Sequence, residues 1–367
     1  MNILHLVQKP QLRGAEVFAA QLASHIEQKG HHAHIVYIFP GEADLPFTGK
    51  TSNLQGNRKS RLFDIKAWKR LARIIEEEKP DIVQANAGDT LKYAVFSKLF
   101  FRWKQPIIFR NASTISLYIK SGIAKAWNGF LFRYADQIVS VSNTSAADFI
   151  TLFPECTKRT ITIPIGIQES TYTNGALNGL GNSDKRTGPL LIHVGGFSFE
   201  KNHTGLLSIF EQVLQLIPSA TLQLVGDGPL KKQTEELANQ KGLGDKVKFL
   251  GMRKDAMELM KNADVLLLPS IIEGLPGVIL EAFYTKTPVV AYNVGGIKEI
   301  LINNKTGRLI EKGDETSFTL AIVQSLEKDQ HNEKMIADAY ELTNAEYLNS
   351  GIADRFLNVY RSVSAAK

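Results

Sequence analysis

The chain has 367 residues, 44% of them hydrophobic and 22% charged, with one cysteine and a formal net charge of +6. This excludes intrinsic disorder as the main state, because apolar material for large cores is ample, and Cys156 alone builds neither a disulfide framework nor a structural zinc site. The charge is uneven, with 22 Lys/Arg against 14 Asp/Glu in residues 1–180 and 21 against 23 in residues 181–367, so one lobe is expected to face something anionic.

In chain order, residues 2–7 form an apolar strand run and Pro10 to Gly14 a turn. Residues 15–29 follow with helical spacing (Val17, Phe18, Leu22, Ile26), ended by Gly30. Strands are predicted at 34–39, 82–85, 107–110, 137–141 and 160–163, with helices at 64–78, 90–101 and 142–151 between them. Such alternation means a parallel sheet with helices on both faces. Residues 171–189 are rich in Gly, Asn and Ser and lack periodicity, which reads as a linker or long surface loop.

The pattern then restarts. Strands are predicted at 190–194, 221–225, 246–250, 265–268 and 288–291, helices at 202–216, 230–240, 255–261 and 277–284, and a helical tail at 316–363. The domains expected are 1–175, completed by a C-terminal helix near 350–367, and 188–349, joined by 176–187. The fold class is α/β, two doubly wound Rossmann-like domains facing each other across a cleft. Ligands of open α/β sheets bind outside the carboxyl ends of the strands. No apolar run approaches the roughly 18 residues of a bilayer span, and the opening MNILHLVQKPQLRG is too short for a secretory core. A cytoplasmic location is therefore expected.

The densest motif is PSIIEGLPGVILE, residues 269–281. Glu273 and Gly274 lie in a loop after a strand, Pro276 and Gly277 open a helix, and Glu281 falls about one turn into it. Free N–H groups at a helix start suit a phosphate, and a carboxylate accepts two vicinal O–H groups. A phosphate flanked by polyols on both sides is a nucleotide sugar. Taken alone, the two glutamates are better read as a solvated loop residue and a helix-dipole partner. The surroundings change that reading. Glu273 and Glu281, with seven residues between them in EGLPGVILEAFYTKTPVVAYNVGGIKEIL, resemble the E-x7-E element of the retaining glycosyltransferases of family 4, which have the GT-B fold. The likeness continues through Pro288 to Ala291, Gly295, Gly296, Glu299 and Gly307, and extends over nearly the whole chain.

The resemblance implies that Glu281 binds the donor ribose, that Glu273 contacts the donor sugar, and that the backbone of Gly274, Leu275, Pro276 and Gly277 holds sugar hydroxyls and diphosphate. In HVGGFSFEKNH, which follows the first strand of the second domain, Lys201 matches a donor-phosphate lysine. It is placed to neutralise charge building on the leaving group. Gly196 stands where the family has an arginine, and Arg253 is the candidate replacement. VGDGP at 225–229 and Gly251-Met252-Arg253 are expected near the nucleobase. Arg13-Gly14-Ala15-Glu16 matches a GGAE-type loop, with Gly14 admitting close backbone approach.

Asn111 stands where many members have a histidine. It can stabilise a developing oxocarbenium ion by its carbonyl dipole but cannot act as a base, and Gln84 to Asn86 replace a common His-x-His. Front-face displacement, with the leaving phosphate taking the acceptor proton, needs no such histidine. Asp-x-Asp is absent, and His31, His32 and His34 point in different directions along a strand start, so metal-independent transfer without a cofactor is expected.

Two stretches mix cations with aromatics. Residues 58–73 carry seven cations and one acid around Leu62, Phe63, Ile65, Trp68 and Leu71. Residues 92–110 add Phe96, Phe100, Phe101 and Trp103 among further cations. Each alone fits a solvated helix face, and together they fit an anionic membrane surface. No nucleic-acid-binding signature accompanies them. The expected function is hexosyl transfer from a UDP- or GDP-linked donor to a glycan or lipid-linked acceptor, in bacterial surface polysaccharide or lipopolysaccharide synthesis. The alternatives are a non-catalytic GT-B protein supporting a partner enzyme, and a nicotinamide oxidoreductase, which lacks the G-x-G-x-x-G after the first strand.

Overall fold

The computed structural model describes residues 1–59, 63–169 and 186–366, so the linker expected at 176–187 falls almost wholly outside it. The chain divides into two units, Met1–Gln168 with Leu348–Lys367, and Glu169–Tyr347.

The first unit begins β1 (Asn2–Val7), α1 (Gly14–Gln28), β2 (His32–Tyr37), β3 (Lys50–Asn53), α2 (Ile65–Glu78), β4 (Ile82–Ala85) and α3 (Gly88–Phe101). It continues with β5 (Ile107–Asn111), α4 (Gly122–Phe132), β6 (Gln137–Ser140), α5 (Asn143–Leu152) and β7 (Thr160–Thr162). The strands form one parallel sheet in the order β3-β2-β1-β4-β5-β6-β7. Strand alternation divides the core between its faces. Leu4, Leu6, Val83, Ala85, Ile107 and Phe109 pack with Trp68 and Leu71 of α2, Ala94 of α3 and Phe149 of α5. Ile3, Val7, Ile82 and Ile108 point the other way, toward Phe18, Leu22 and Ile26 of α1.

The second unit holds β8 (Leu190–Val194), α6 (His203–Leu216), β9 (Thr221–Val225), α7 (Lys231–Gln240), β10 (Val247–Gly251), α8 (Ala256–Lys261) and β11 (Val265–Leu268). After these come α9 (Gly277–Tyr284), β12 (Val289–Tyr292), α10 (Ile297–Ile300), β13 (Arg308–Ile310), α11 (Glu315–Ser325) and α12 (Gln330–Glu346). Its parallel sheet runs β10-β9-β8-β11-β12-β13. The chain order reverses between β1 and β4 in one sheet and between β8 and β11 in the other, which marks the crevice where such sheets take ligands.

The helical tail predicted as one stretch is three helices, the last being α13 (Asn349–Ala365). Helix α13 returns to the first unit, where Ile352, Phe356, Leu357 and Tyr360 complete the core on the α1 side. Strand β3 and helix α4 match no element predicted from the sequence. Helix α2 starts where its polar end is satisfied: the Asp64 carboxylate accepts from the N–H groups of Ala67 (3.2 Å) and Asn57 (2.7 Å) and from the Tyr93 hydroxyl (3.0 Å).

The basic stretches sort differently from expectation. On α2, Trp68 and Leu71 are core while Lys66, Lys69, Arg70 and Arg73 are exposed, and Phe63 is 78% exposed. Arg61 and Leu62 lie outside the described residues. Lys92 is no part of a basic face, since it is buried beside Asp89 (3.3 Å). Phe100 and Phe101 at the end of α3 are exposed, and α4 adds Ile123 (86% exposed) and Trp127.

Candidate active site

In the second unit the loop after β8 folds back on the loop after β11. Residues Phe199–Lys201 make a single 3-10 turn, and Asn202 follows in the left-handed region (φ 53°). Its Oδ1 accepts from the Gly205 N–H (3.3 Å), capping α6, while its Nδ2 donates to the Pro269 carbonyl (3.1 Å). The Ile271 N–H donates to the Glu200 carbonyl (2.8 Å). These bonds bring Lys201 Nζ to 2.6 Å from Glu273 Oε1, with the two side chains 21% and 10% exposed. A lysine at a helix start opposes the helix dipole; here its charge rests on the carboxylate.

Glycine makes the approach possible. A Cβ at Gly195 would lie 3.0 Å from His193 Nε2 and 3.3 Å from the Lys201 side chain. Gly196, where the family arginine is expected, is open: its Cβ would meet only the Asp227 carbonyl, at 3.5 Å. The cation is therefore missing without any packing requirement for glycine. Arg253, the candidate replacement, donates from its guanidinium to both Asp255 oxygens (2.7 and 2.6 Å). Lys231, a cation the sequence reading passed over, approaches the strand ends instead, with Nζ 4.0 Å from a Cβ built at Gly251.

Behind Lys201 sit two buried histidines that sequence reasoning also missed. His193 Nδ1 lies 2.8 Å from the Leu267 carbonyl, and its Nε2 is enclosed without a hydrogen-bond partner among the described residues. The His203 ring stacks on Phe197 (4.0 Å) and meets His193 edge-on (4.8 Å). Burial, reinforced by the nearby Lys201 charge, lowers His193 to about 4 and, with His193 adding to it, His203 to about 2. Both are neutral at physiological pH and add no second cation.

Glu273 is also held from below. Gly295 (φ 55°) packs so closely that a Cβ there would lie 2.0 Å from the Glu273 carbonyl oxygen, and the Gly296 N–H donates to the Gly274 carbonyl (2.7 Å). Gly295→Ala should therefore displace the Glu273–Gly274 loop. The clash and the left-handed backbone together should cost roughly 1–3 kcal/mol, read as a lower unfolding temperature with loss of any nucleotide-dependent stabilisation. An unchanged unfolding temperature would remove Gly295 as the prop of this loop.

Gly274, Leu275 and Pro276 are buried, and Pro276 is the N-cap of α9 rather than part of its first turn, with no side chain capping the helix. The α9 N–H groups after Gly277 are thus not closed off by a side chain. Glu281 follows one turn later. Among the described residues its carboxylate has no hydrogen-bond or ionic partner, and burial pushes it up to about 7. A partly accessible carboxylate desolvated without a cation costs stability, which makes it a candidate site residue.

The remaining two expected residues lie in the first unit. Gly14 opens α1, where a Cβ would meet nothing within 4 Å. Asn111 ends β5, buried, with Nδ2 donating to Ser140 Oγ (3.2 Å) and the Ser145 carbonyl (3.3 Å). Its amide hydrogens are thereby turned into the protein.

Two family models match the chain. The one described as "Glycosyl transferases group 1" fits residues 182–342, and "Glycosyltransferase Family 4" fits residues 12–170. The chain belongs to glycosyltransferase family 4. This family 4 chain is 24% identical to N-acetyl-alpha-D-glucosaminyl L-malate synthase of Bacillus anthracis, over 96% of its own length and 95% of the other. It is 27% identical to the lipopolysaccharide core biosynthesis glycosyltransferase LpsE of Rhizobium meliloti, over 47% of this chain and 50% of that one, so it spans about half the length of that relative. In structure it is similar to Anabaena Alr3699/HepE, solved in complex with UDP and glucose (TM-score 0.82, 21% identity, 99% of this chain and 100% of that one). It is also similar to sucrose-phosphate synthase of Thermosynechococcus elongatus (TM-score 0.83, 19% identity, all of both chains). The fold is GT-B.

Proposed function

We propose that the chain moves a hexosyl unit, with retention of configuration, from a UDP- or GDP-linked sugar to a glycan or lipid-linked acceptor in polysaccharide or lipopolysaccharide synthesis. The observation that carries this reading is the Lys201–Glu273 pair at 2.6 Å, beside the uncapped start of α9 and one turn before a desolvated Glu281. In this reading Glu281 accepts the ribose O–H groups, the α9 N–H groups and Lys201 receive the diphosphate, and Glu273 orients both Lys201 and the sugar. The bond between the anomeric carbon and the phosphate oxygen breaks as the acceptor oxygen attacks from the same face, and that acceptor's proton passes to the departing phosphate. Lys201 offsets the growing negative charge, so the step calls on neither a metal nor a cofactor. Structural relatives solved with UDP or UDP-glucose support this choice of donor class.

The test is thermal unfolding with UDP, GDP, ADP and NAD. One nucleoside diphosphate should stabilise the chain by several degrees at ~100 times its dissociation constant, and NAD should not. No shift with any diphosphate would overturn the donor assignment.

The exposed face of α2, the end of α3 and α4 supports docking at an anionic membrane on the cytoplasmic side, with Ile123 and Trp127 set among exposed cations. Among the described residues no helix is long and apolar enough to cross a membrane. The chain should co-sediment with vesicles rich in phosphatidylglycerol but not with phosphatidylcholine vesicles, and Ile123→Asp should weaken that binding. Equal sedimentation with both lipids would sink this part of the reading.

A further inference from the structure

Arg110 is an arginine inside a central strand, and it is 2% exposed. Strand β5 is separated from β1 by β4, yet the guanidinium carbon lies 4.3 Å from the centre of the Phe18 ring on α1. The side chain therefore reaches across the end of β4 and lies over the crevice where the sheet order reverses.

Its surroundings do not neutralise it. Gln84 and Asn86 at the end of β4 are satisfied by each other, Tyr360 and the Leu6 carbonyl. The Tyr360 hydroxyl donates to Gln84 Oε1 (2.5 Å), Gln84 Nε2 to Asn86 Oδ1 (3.0 Å), and Asn86 Nδ2 to the Leu6 carbonyl (3.2 Å). Glu16 accepts from Gln11 Nε2 (2.7 Å). Among the described residues no carboxylate comes within ion-pair distance of Arg110, and its Nη1 is enclosed without a hydrogen-bond partner. Burial accordingly lowers Arg110 to about 10 despite the nearby charge of Glu16. A buried, unpaired guanidinium is less stable than a well-packed apolar side chain of similar volume, so its partner is to be sought outside the chain.

The same crevice holds the start of α1, a 15-residue helix whose N-cap, Arg13, makes no side-chain cap, and whose first residue, Gly14, faces open space. A positive helix end and a planar cation forked for two oxygens suit an oxyacid anion. We infer that the first unit binds a carboxylate or phosphate group carried by the acceptor, held by Arg110 at the N-terminus of α1; this rests on the reading of the chain as a glycosyltransferase. Arg110 is then an acceptor-binding residue, and acidic acceptors are preferred over neutral ones of the same shape.

The test titrates the full chain, with and without the nucleoside diphosphate that stabilises it, against D-glucuronate and glycerol 1-phosphate, with D-glucose and glycerol as neutral counterparts. At least one anion should bind where its neutral counterpart does not, and which one binds separates a carboxylate from a phosphate. Arg110→Gln should weaken that binding roughly tenfold or more while leaving the nucleotide-dependent stabilisation unchanged. Should Arg110→Gln not fold, Arg110→Lys keeps the charge, loses the fork and should bind the anion several-fold more weakly. Three results overturn the inference: neither anion binds the wild-type chain, the variants bind it as well as wild type does, or Arg110→Gln lowers the nucleotide response in parallel, which would assign Arg110 to the donor. A wild-type chain that ignores every nucleotide defeats the transferase reading instead, and the titration without nucleotide still judges the anion site.

Discussion

Glu281→Gln is expected to make the protein more stable at pH 8 and unable to hold its nucleotide. Burial raises the Glu281 carboxyl to about 7, above its ordinary value of 4.5. The folded state therefore binds a proton more tightly than the unfolded one, and the contribution of Glu281 to stability is greatest below pH 4.5, declines between 4.5 and 7, and carries the full penalty of the buried charge above 7. Removing the charge should recover roughly 1–3 kcal/mol at pH 8 and nothing at pH 4, which two thermal scans would read. Ribose hydroxyls donate, so they favour the ionised carboxylate. Nucleotide binding to the wild type should weaken as pH falls through 7, and the variant should lose both the binding and its pH dependence. A variant that is no more stable at pH 8, or that binds nucleotide as well as wild type, would contradict the placement of Glu281.

Lys201→Ala should have the larger effect on turnover. It removes the cation from the diphosphate side and deprives Glu273, only 10% exposed, of its partner at 2.6 Å. Loss of one preorganised charge at a leaving group typically costs about 10²–10³ in kcat, and the nucleotide dissociation constant should change far less. The carboxylate left behind would itself repel a diphosphate, so Lys201→Ala with Glu273→Gln should bind nucleotide better than Lys201→Ala alone, a coupling expected of residues in contact. Equal losses in affinity and turnover would identify Lys201 as a ground-state ligand only.

The sequence speaks clearly where one local signal decides the structure. Runs such as those at Asn2–Val7, Leu190–Val194 and Val265–Leu268 are largely apolar, broken inside only by the buried His5 and His193, because both faces of a parallel sheet are covered. Strand β3 (Lys50–Asn53) is polar and lies at the sheet edge, so its pairing with β2 depends on backbone bonds that no side-chain pattern announces. Helix α4 buries only Leu131 and Phe132, too little for a helical stripe to show. At the site, Lys201 and Glu273 were legible as motif residues, but their ion pair depends on the bonds that Glu200 and Asn202 make to the 269–271 loop. Likewise the isolation of Arg110 is a property of three strands, α1 and Tyr360 together, and the enclosure of His193 and His203 depends on contacts distant in sequence.

Because α13 supplies Ile352, Phe356, Leu357 and Tyr360 to a core begun by β1 and α1, the order of synthesis and the order of folding differ. When the ribosome has made residues 1–168, α1 still lacks the helix that covers its apolar neighbours, and it waits while the whole of residues 169–347 is translated. The second unit, continuous in sequence, can fold on the way. The nascent first half thus spends its longest interval with an uncovered apolar strip, the condition in which chaperones are engaged and aggregation begins. A premature stop before residue 349 would leave that strip uncovered permanently, so the first unit's stability depends on a helix encoded after the whole second unit.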